Sequence, residues 1–176
     1  MHQRIWAILG IIFITARMWA APSTVPDFSL PSMTGGKPFE LSKARGSMVV
    51  LHFLLKTECP VCLRHTQDYL NRAGELTNVV QVFIKPDSVE EIQKWTAQLP
   101  AMGKDNYPIY RDPDAALAAR LKIPGGYKFH GESVHYPALI LINEDGQEVF
   151  RYVGKSNADR YAFEKLKAKV LELRRN

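Results

Sequence analysis

The order of apolar and polar positions along the chain predicts most of its secondary structure. Apolar runs at 48–55, 79–84 and 137–142 have the length and residue types of buried strands. A glycine-containing turn at 143–146 separates the third run from 148–153, which is therefore predicted to be its hairpin partner. These segments predict the centre of a sheet.

Helices are predicted in the segments that lie between and after these strands. The last helix should begin near Asn157, because the residues that follow repeat apolar positions at three- and four-residue spacing and so give one buried face. Its apolar positions are Phe163, Leu166, Val170 and Leu173. Earlier helices are predicted at 63–73, from Ser88 to about Leu99, and at 114–121 with Pro113 at the first helical position.

The remaining segments complete an α/β topology. Residues 27–30 and 37–41 flank a Gly-Gly turn and predict a hairpin ahead of the sheet. A loop at 100–106 leads to a short strand at 107–110, and the glycine-bearing stretch 122–135 is predicted to be a long functional or mobile connection. This order predicts an α/β sheet covered on both faces.

The first twenty residues have the composition of a targeting segment. A basic start precedes the apolar run 5–16, and small residues stand before Pro22. The run is shorter than the ~20 residues of a spanning helix. We therefore expect a signal peptide at 1–20, with an uncleaved membrane anchor as the alternative, and one domain at 21–176. Export to the periplasm or another extracytoplasmic space would let a cysteine pair persist in its oxidised form.

Charge adds little to this picture. The formal net charge is +5, but Arg4 and Arg17 lie in the targeting segment and the other basic residues are scattered. The basic positions at 165–169 and 174–175 fit the solvated face and the carboxyl end of the last helix. The sequence therefore gives no support for nucleic-acid binding.

The candidate chemistry is the pair Cys59 and Cys62, the only two cysteines of the chain. The pair follows a predicted strand and opens a predicted helix, so it should lie at the carboxyl edge of the sheet. A helix N-terminus stabilises a thiolate, which makes Cys59 the expected nucleophile and Cys62 the resolving thiol. A structural zinc site would need four ligands. A purely structural disulfide is the other alternative, although so short a loop constrains the unfolded chain little.

With these motifs, the sequence resembles the thioredoxin-fold proteins of the TlpA/ResA-like thiol-disulfide oxidoreductases and the alkyl hydroperoxide reductase/thiol-specific antioxidant (redoxin) group. The resemblance rests on 26–30, 49–55, Cys59 to Cys62 and 136–146. It implies a thioredoxin-like fold, with a central mixed sheet, helices on both faces and an added N-terminal β-hairpin. It also implies disulfide exchange with protein thiols, an upstream dithiol donor, and neither a cofactor nor a metal.

The resemblance further assigns roles around the cysteine pair. Pro137 would be the family's cis-proline, which positions partner polypeptides, and Tyr136 before it is a possible supporting residue. Glu58 stands where relatives commonly have Trp, and its charge should oppose thiolate formation on Cys59. With no cation between the two cysteines, a poorly stabilised thiolate predicts a reducing role.

His65 lies one turn after Cys62, where relatives often carry Glu. It is either a proton relay to Cys62 or an exposed helical histidine. His52 and His130 have no predicted role.

Two other functions stay open on the sequence. A thiol peroxidase would use Cys59 and resolve it with Cys62, but the pattern Pro-x-x-x-Thr-x-x-Cys fails at both cysteines. A Sco-like copper protein would add His135, which precedes Tyr136 and Pro137, to the two thiolates.

Overall fold

The structure is a computed structural model that describes residues 23–56, 59–99, 108–129 and 132–175. The predicted targeting segment 1–20, the predicted loop 100–106, Glu58 and His130 lie outside these residues. Within the described ranges, every helix is too short or too polar to cross a membrane.

The described residues form strands and helices in the predicted order, with one addition after α3. The elements are β1 (Ser29–Leu30), β2 (Phe39–Glu40), β3 (Met48–Phe53), α1 (Pro60–Asn71), β4 (Val79–Lys85), α2 (Val89–Thr96), β5 (Ile109–Arg111), α3 (Ala116–Arg120), β6 (Gly125–Phe129), β7 (Glu132–His135), β8 (Ala138–Ile142), β9 (Glu148–Val153) and α4 (Phe163–Leu173).

The central sheet has five strands within the described part of the chain, in the order β5-β4-β3-β8-β9. Strands β3, β4 and β5 are parallel, whereas β8 runs antiparallel to β3 and β9 antiparallel to β8. The sheet is therefore mixed, and the predicted thioredoxin-like α/β class is confirmed.

Both faces of this sheet are covered because side chains on a strand alternate between them. On β3, Met48 and Val50 join a core with α1, α2 and α4. Val49 and Leu51 join a second core with α3 and the N-terminal segment. We call these the site face and the plain face of the sheet.

The N-terminal hairpin is confirmed, since β1 pairs with β2 in an antiparallel register and Leu30 and Phe39 are buried in the plain-face core. Helix α2 begins where its sequence predicts. The Ser88 hydroxyl accepts a hydrogen bond from the Glu91 amide, and the Glu91 carboxylate accepts one from the Ser88 amide. This reciprocal capping box satisfies two backbone donors that the first helical turn would otherwise leave unpaired.

The prediction of a loop at 122–135 was wrong, because β6 and β7 form a separate two-stranded antiparallel sheet there. A β-bulge lies at Gly126, whose φ is +150°. A Cβ at this position would lie 3.4 Å from the Tyr136 ring. The glycines that suggested a loop therefore provide a kink within a hairpin.

Helix α4 also begins later than predicted, at Phe163 rather than near Asn157. The residues in between form an ordered turn, because the Asp159 carboxylate accepts hydrogen bonds from the Lys155 amide and the Tyr152 hydroxyl. Such a side-chain interaction offers the backbone an alternative to helix. This segment also contributes to the site described below.

Candidate active site

The cysteine pair lies at the N-terminus of α1, where the chain arrives from β3. Cys59 is the N-cap residue, Pro60 opens the helix, and the two cysteines form a disulfide with Cα atoms 5.1 Å apart. The Cys62 amide donates to the Cys59 sulfur at 3.1 Å. The helix N-terminus thus supplies both a donor and a favourable dipole to that sulfur.

The two sulfurs differ in access. Cys59 is half-buried, whereas Cys62 is fully buried, with 0% of its surface exposed. Only the first sulfur is therefore open to a partner from solvent. This arrangement agrees with the order of attack predicted from the sequence, in which Cys59 acts first.

Arg160 is the residue of the site that sequence reasoning missed. Its Nη2 atom donates to the Cys62 sulfur at 3.0 Å and to the Cys59 sulfur at 3.5 Å. The sequence places no cation between the two cysteines, and the prediction of a poorly stabilised thiolate did not include this guanidinium. No sequence signal identified Arg160, because it is 98 positions from Cys62.

The segment 154–161, which we call the arginine loop, holds this guanidinium in place. Arg160 Nη1 donates to the carbonyl oxygens of Asn157 at 2.9 Å and Asp159 at 3.1 Å. On the far side, the Tyr69 hydroxyl of α1 donates to the Tyr161 carbonyl at 2.7 Å. The loop is thus tied to the same helix that carries the cysteines.

Close packing at Gly154 brings the arginine loop against Pro137. A Cβ at Gly154 would lie 2.5 Å from the Asp159 carbonyl oxygen and 2.8 Å from Pro137 Cγ. The Gly154 amide donates to the Pro137 carbonyl at 2.8 Å. Because backbone approaches backbone so closely here, any larger residue would push the loop away from the cysteine pair.

Pro137 is buried and lines a small cavity together with His52, His65, Asp159 and Arg160. The cis-proline expectation was wrong, since the described residues contain no cis peptide bond. The Tyr136 amide bonds to the Pro124 carbonyl at 2.9 Å, and the Pro137 carbonyl accepts from Gly154. These two hydrogen bonds anchor the backbone on either side of the bond between Tyr136 and Pro137.

Two histidines lie beneath the pair on the site face. His52 Nε2 is 2.8 Å from Gln81 Oε1, and its Nδ1 is 3.4 Å from His65 Nε2. Because an amide oxygen only accepts, this contact places the proton of a neutral His52 on Nε2 and leaves Nδ1 to accept from His65. The simple alternative of an exposed helical His65 is wrong, since this side chain is half-buried and hydrogen-bonded.

Burial keeps both rings uncharged. Desolvation lowers the pKa of His52 to about 3, against which the Gln81 hydrogen bond acts only weakly. Desolvation also lowers the pKa of His65 well below its usual range, and the nearby His52 and Arg160 lower it further. Arg160 therefore brings to the cysteines a permanent positive charge that these two histidines do not carry.

A buried ion pair supports the segment that leads to Cys59. Lys85 Nζ lies 3.2 Å from Asp87 Oδ2, with both side chains 0% exposed, and donates to the Leu55 carbonyl at 2.8 Å. Burial lowers the pKa of Lys85, although the neighbouring Asp87 opposes this effect. Lys85 thereby fixes the backbone four residues before the first cysteine.

His135 ends β7, and its ring centroid lies 6.0 Å from that of Phe53. Its side chain is buried, and its Nδ1 lies 2.8 Å from the Tyr136 carbonyl, so the ring nitrogen donates to the backbone. Tyr136 is half-buried, with its ring over Gly126. In the residues that the structure describes, no three His, Cys, Asp or Glu side chains converge in a geometry suited to a metal.

A thioredoxin-like sheet that carries a Cys-x-x-Cys pair at the start of α1 is the arrangement of thioredoxin-like redox proteins. Residues 22–149 match the AhpC/TSA family, and the chain belongs to this family. The predicted enzyme class, an oxidoreductase, and the predicted family resemblance are thereby confirmed.

Individual relatives come from both branches of the redoxin group. A Mycobacterium tuberculosis (strain CDC 1551 / Oshkosh) protein provisionally named a peroxiredoxin is 27% identical over 130 residues, which cover 70% of this chain and 78% of that protein. Yeast mitochondrial 1-Cys peroxiredoxin has a TM-score of 0.72 at 16% identity, covering 89% of this chain and 77% of its own. A Chlorobium tepidum protein provisionally named thiol:disulfide interchange protein DsbE has a TM-score of 0.60 at 24% identity, covering 85% and 96%.

Proposed function

We propose that this protein is a thiol-disulfide oxidoreductase that exchanges disulfides with partner proteins through Cys59 and Cys62. The observation that carries the proposal is the pairing of a half-buried sulfur with a fully buried one at a helix N-terminus. A sulfur that caps a helix is stabilised as a thiolate, which is the nucleophilic form. Cys62, three positions later in the sequence and adjacent in space, then forms the intramolecular disulfide with Cys59.

In the reducing direction the chemistry has two steps. The Cys59 thiolate attacks one sulfur of a partner disulfide, forms a mixed disulfide and releases the other partner sulfur as a thiolate. The Cys62 thiolate then attacks Cys59, which forms the intramolecular disulfide and releases the second partner sulfur. The electron pair passes to the partner, which takes up two protons, and an upstream dithiol donor restores the reduced pair.

Alkylation of the reduced protein across pH tests the assignment. Cys59 should react first, with a thiolate titration near neutrality, and a Cys62→Ser variant should accumulate mixed disulfides with a protein substrate. Faster alkylation of Cys62, or a failure of Cys59 to ionise near neutrality, would contradict the assigned roles.

The protein was predicted to act as a reductant because the sequence indicates a poorly stabilised Cys59 thiolate. Arg160 weakens this reason. A cation at 3.0 and 3.5 Å from the two sulfurs favours the thiolates of the reduced form. A stabilised reduced form means a higher reduction potential and a more oxidising pair than the motif alone predicts. Equilibration of the protein with glutathione buffers measures this potential, and a value in the strongly oxidising range would replace the reducing role.

A peroxidase is the second candidate function, favoured by the peroxiredoxin name of the curated relative. In this case the Cys59 thiolate would attack a peroxide oxygen, which breaks the O–O bond, forms the Cys59 sulfenic acid and releases water or an alcohol. Cys62 would then attack this sulfenic acid, which forms the disulfide with loss of water. Rapid mixing with hydrogen peroxide separates the two functions. Fast, Cys59-dependent consumption at micromolar peroxide would establish the peroxidase, whereas slow oxidation typical of ordinary thiols would leave disulfide exchange as the function.

Export is also part of the proposal, and it rests on the basic start and apolar run within 1–20. Expression of the full chain with a C-terminal tag tests it. A shortened protein in the extracytoplasmic fraction supports a cleaved signal, full-length protein in the membrane fraction supports an anchor, and full-length protein in the cytoplasm contradicts export.

Copper binding is tested separately, because it needs His135 and disulfide exchange does not. Titration of the reduced protein with Cu(I) should show weak binding that His135→Ala leaves unchanged. Tight binding that is lost in this variant would identify a copper carrier whose cysteines are ligands.

A further inference from the structure

The buried position of Cys62 raises a problem that the second step of exchange must solve. Its sulfur is fully enclosed, and burial in apolar surroundings disfavours a thiolate. Yet Cys62 has to act as a thiolate to attack the mixed disulfide at Cys59. Some group must therefore offset the charge at the moment of attack.

Arg160 is placed to supply that charge. Its guanidinium contacts both sulfurs but lies closer to Cys62, at 3.0 Å, than to Cys59, at 3.5 Å. The Cys59 sulfur is already stabilised by the helix N-terminus and by the hydrogen bond from the Cys62 amide. The buried sulfur therefore depends on the arginine more than the exposed one does.

Among the residues that the structure describes, the other charged and titratable groups near the guanidinium are neutral or already paired, so Arg160 is the group that can offset the charge of the Cys62 thiolate. His65 on α1 and His52 on β3 are held neutral by burial. Lys85 on β4 is engaged with Asp87 and the Leu55 carbonyl. In the arginine loop itself, the Asp159 carboxylate is occupied by the Tyr152 hydroxyl and the Lys155 amide.

We infer that Arg160 is a catalytic residue for the resolving step, in which it stabilises the Cys62 thiolate as that sulfur attacks the mixed disulfide. The inference rests on the proposed disulfide exchange. In this step the bond between Cys62 and Cys59 forms, the bond between Cys59 and the partner breaks, and the partner leaves as a thiolate that takes a proton from solvent. Arg160 stays protonated throughout and contributes its charge and the Nη2 donor that contacts the Cys62 sulfur.

A reaction with the neutral reagent 4,4′-dithiodipyridine separates the two thiols. The reduced protein releases one thiopyridone when Cys59 attacks and a second when Cys62 closes the disulfide. A nearby opposite charge lowers a thiol pKa by about 1–3 units, so Arg160→Gln should slow the second release about tenfold or more and raise the pH midpoint of that phase by about one unit or more. The first release should change less.

Two further variants make the result specific. Arg160→Lys retains a positive charge and should recover part of the rate of the second release. Arg64→Gln removes an exposed arginine of α1 two positions after Cys62 and should leave both phases unchanged. Circular dichroism and urea unfolding of each variant confirm that the fold is kept.

The outcomes are separable. A second release that keeps its rate and pH midpoint in a folded Arg160→Gln variant would overturn the role of Arg160 and leave the proposed exchange intact. A rate loss without any shift in the pH midpoint would also overturn it, because that result fits a loop that only holds Cys62 in position. Absence of a Cys59-dependent first release in the unmodified protein would instead contradict the proposed function.

Discussion

The two faces of the central sheet share the same strands but differ in what they bury. On the plain face, β3 and β4 contribute aliphatic or aromatic side chains such as Val49, Leu51 and Val82, all almost completely buried. On the site face the same strands contribute His52, Gln81 and Lys85, which are also buried. One layer of backbone thus separates a core that the strands line with apolar side chains from a core in which polar side chains are buried among apolar ones.

The difference shows where the fold tolerates unfavourable chemistry. Buried polar groups have to be hydrogen-bonded or paired, and even then they contribute little net stability. The site face meets part of this requirement with the His65–His52–Gln81 chain and the Lys85–Asp87 pair, while Gln81 Nε2 is buried without a hydrogen-bond partner in the described ranges. On the plain face the buried strand side chains are apolar, and the buried Asp112 carboxylate accepts hydrogen bonds from the Leu117 and Ala118 amides of α3. This face can therefore contribute stability while the other face sets the environment of the cysteines.

The largest effect is expected from a change to the buried ion pair of the site face. Lys85→Met removes the cation that neighbours Asp87 and supports the Leu55 carbonyl. Loss of one partner of a buried pair destabilises proteins by about 3–5 kcal/mol. Urea unfolding at neutral pH measures this loss.

The matched control is the double variant Lys85→Met with Asp87→Asn, which no longer buries a carboxylate beside an apolar side chain. The unfolding free energy that it loses should be smaller than the sum of the losses in the two single variants. Additive losses would mean that the two side chains do not interact energetically. The Lys85–Asp87 pair would then not stabilise the site face.

A somewhat smaller effect is expected on the plain face, and it should be confined to stability. Leu51→Ala removes a side chain with 0% exposure and should reduce the free energy of unfolding by about 3 kcal/mol. Thiopyridone release by the folded protein should not change. The control is Leu54→Ala on the site face, which should cost a similar free energy but also alter release, because Leu54 lines the cavity beside Arg160. Equal changes in release from both variants would remove the functional distinction between the faces.

The strands of the central sheet and the N-terminal hairpin are the parts of the molecule that the sequence predicts well. Apolar runs identified β3, β4 and β8, and the turn residues identified the hairpin of β1 and β2. These features depend on short-range patterns that burial imposes on any sheet. The hairpin of β6 and β7 was missed because Gly125 and Gly126 are compatible with a loop as well as with a β-bulge.

A third effect tests whether burial holds His52 neutral. The pKa of this histidine is about 3 in the folded protein, against an ordinary value of 6.5, so between these values the unfolded chain binds a proton that the folded chain does not. Stability is therefore full above about pH 6.5 and falls as the pH drops, by about 1.4 kcal/mol per pH unit for each such histidine. The pKa of His65 is also lowered, so this histidine likewise makes the folded protein less stable as the pH drops.

His52→Gln should remove one histidine's share of this slope, a difference of about 2 kcal/mol accumulated between pH 6.5 and pH 5. Urea unfolding at a series of pH values in this window measures it, since carboxylates with lowered pKa values titrate below it. An unchanged slope in the variant would mean that His52 is protonated in the folded protein and that the site face holds an additional charge.

The site face was predictable only in its sequence-local part. The position of Cys59 and Cys62 at the start of α1 follows from a strand, a motif and a helix that are adjacent in the sequence. Arg160 comes from a loop 98 positions away from Cys62, and only the tertiary fold brings the two together. The contact between His52 and Gln81 likewise depends on the pairing of β3 with β4, which a list of apolar runs does not specify.

The smallest effect is expected from the hydrogen bond that anchors the arginine loop. The Tyr152 hydroxyl donates to Asp159 Oδ1 at 2.5 Å, and this bond, after that of the Lys155 amide, helps to hold the pKa of Asp159 below its usual range. Tyr152→Phe should cost about 1 kcal/mol, because the carboxylate is close to solvent and keeps the Lys155 amide. If the loop positions Arg160 for the resolving step, the second thiopyridone release should also slow, by less than in Arg160→Gln, while the first release is unaffected.

Tyr110→Phe removes a hydroxyl from a tyrosine packed against the plain-face core and is the matched control, which should leave both releases unchanged. A slower second release in both tyrosine variants would attribute the effect to general loosening of the sheet rather than to the arginine loop.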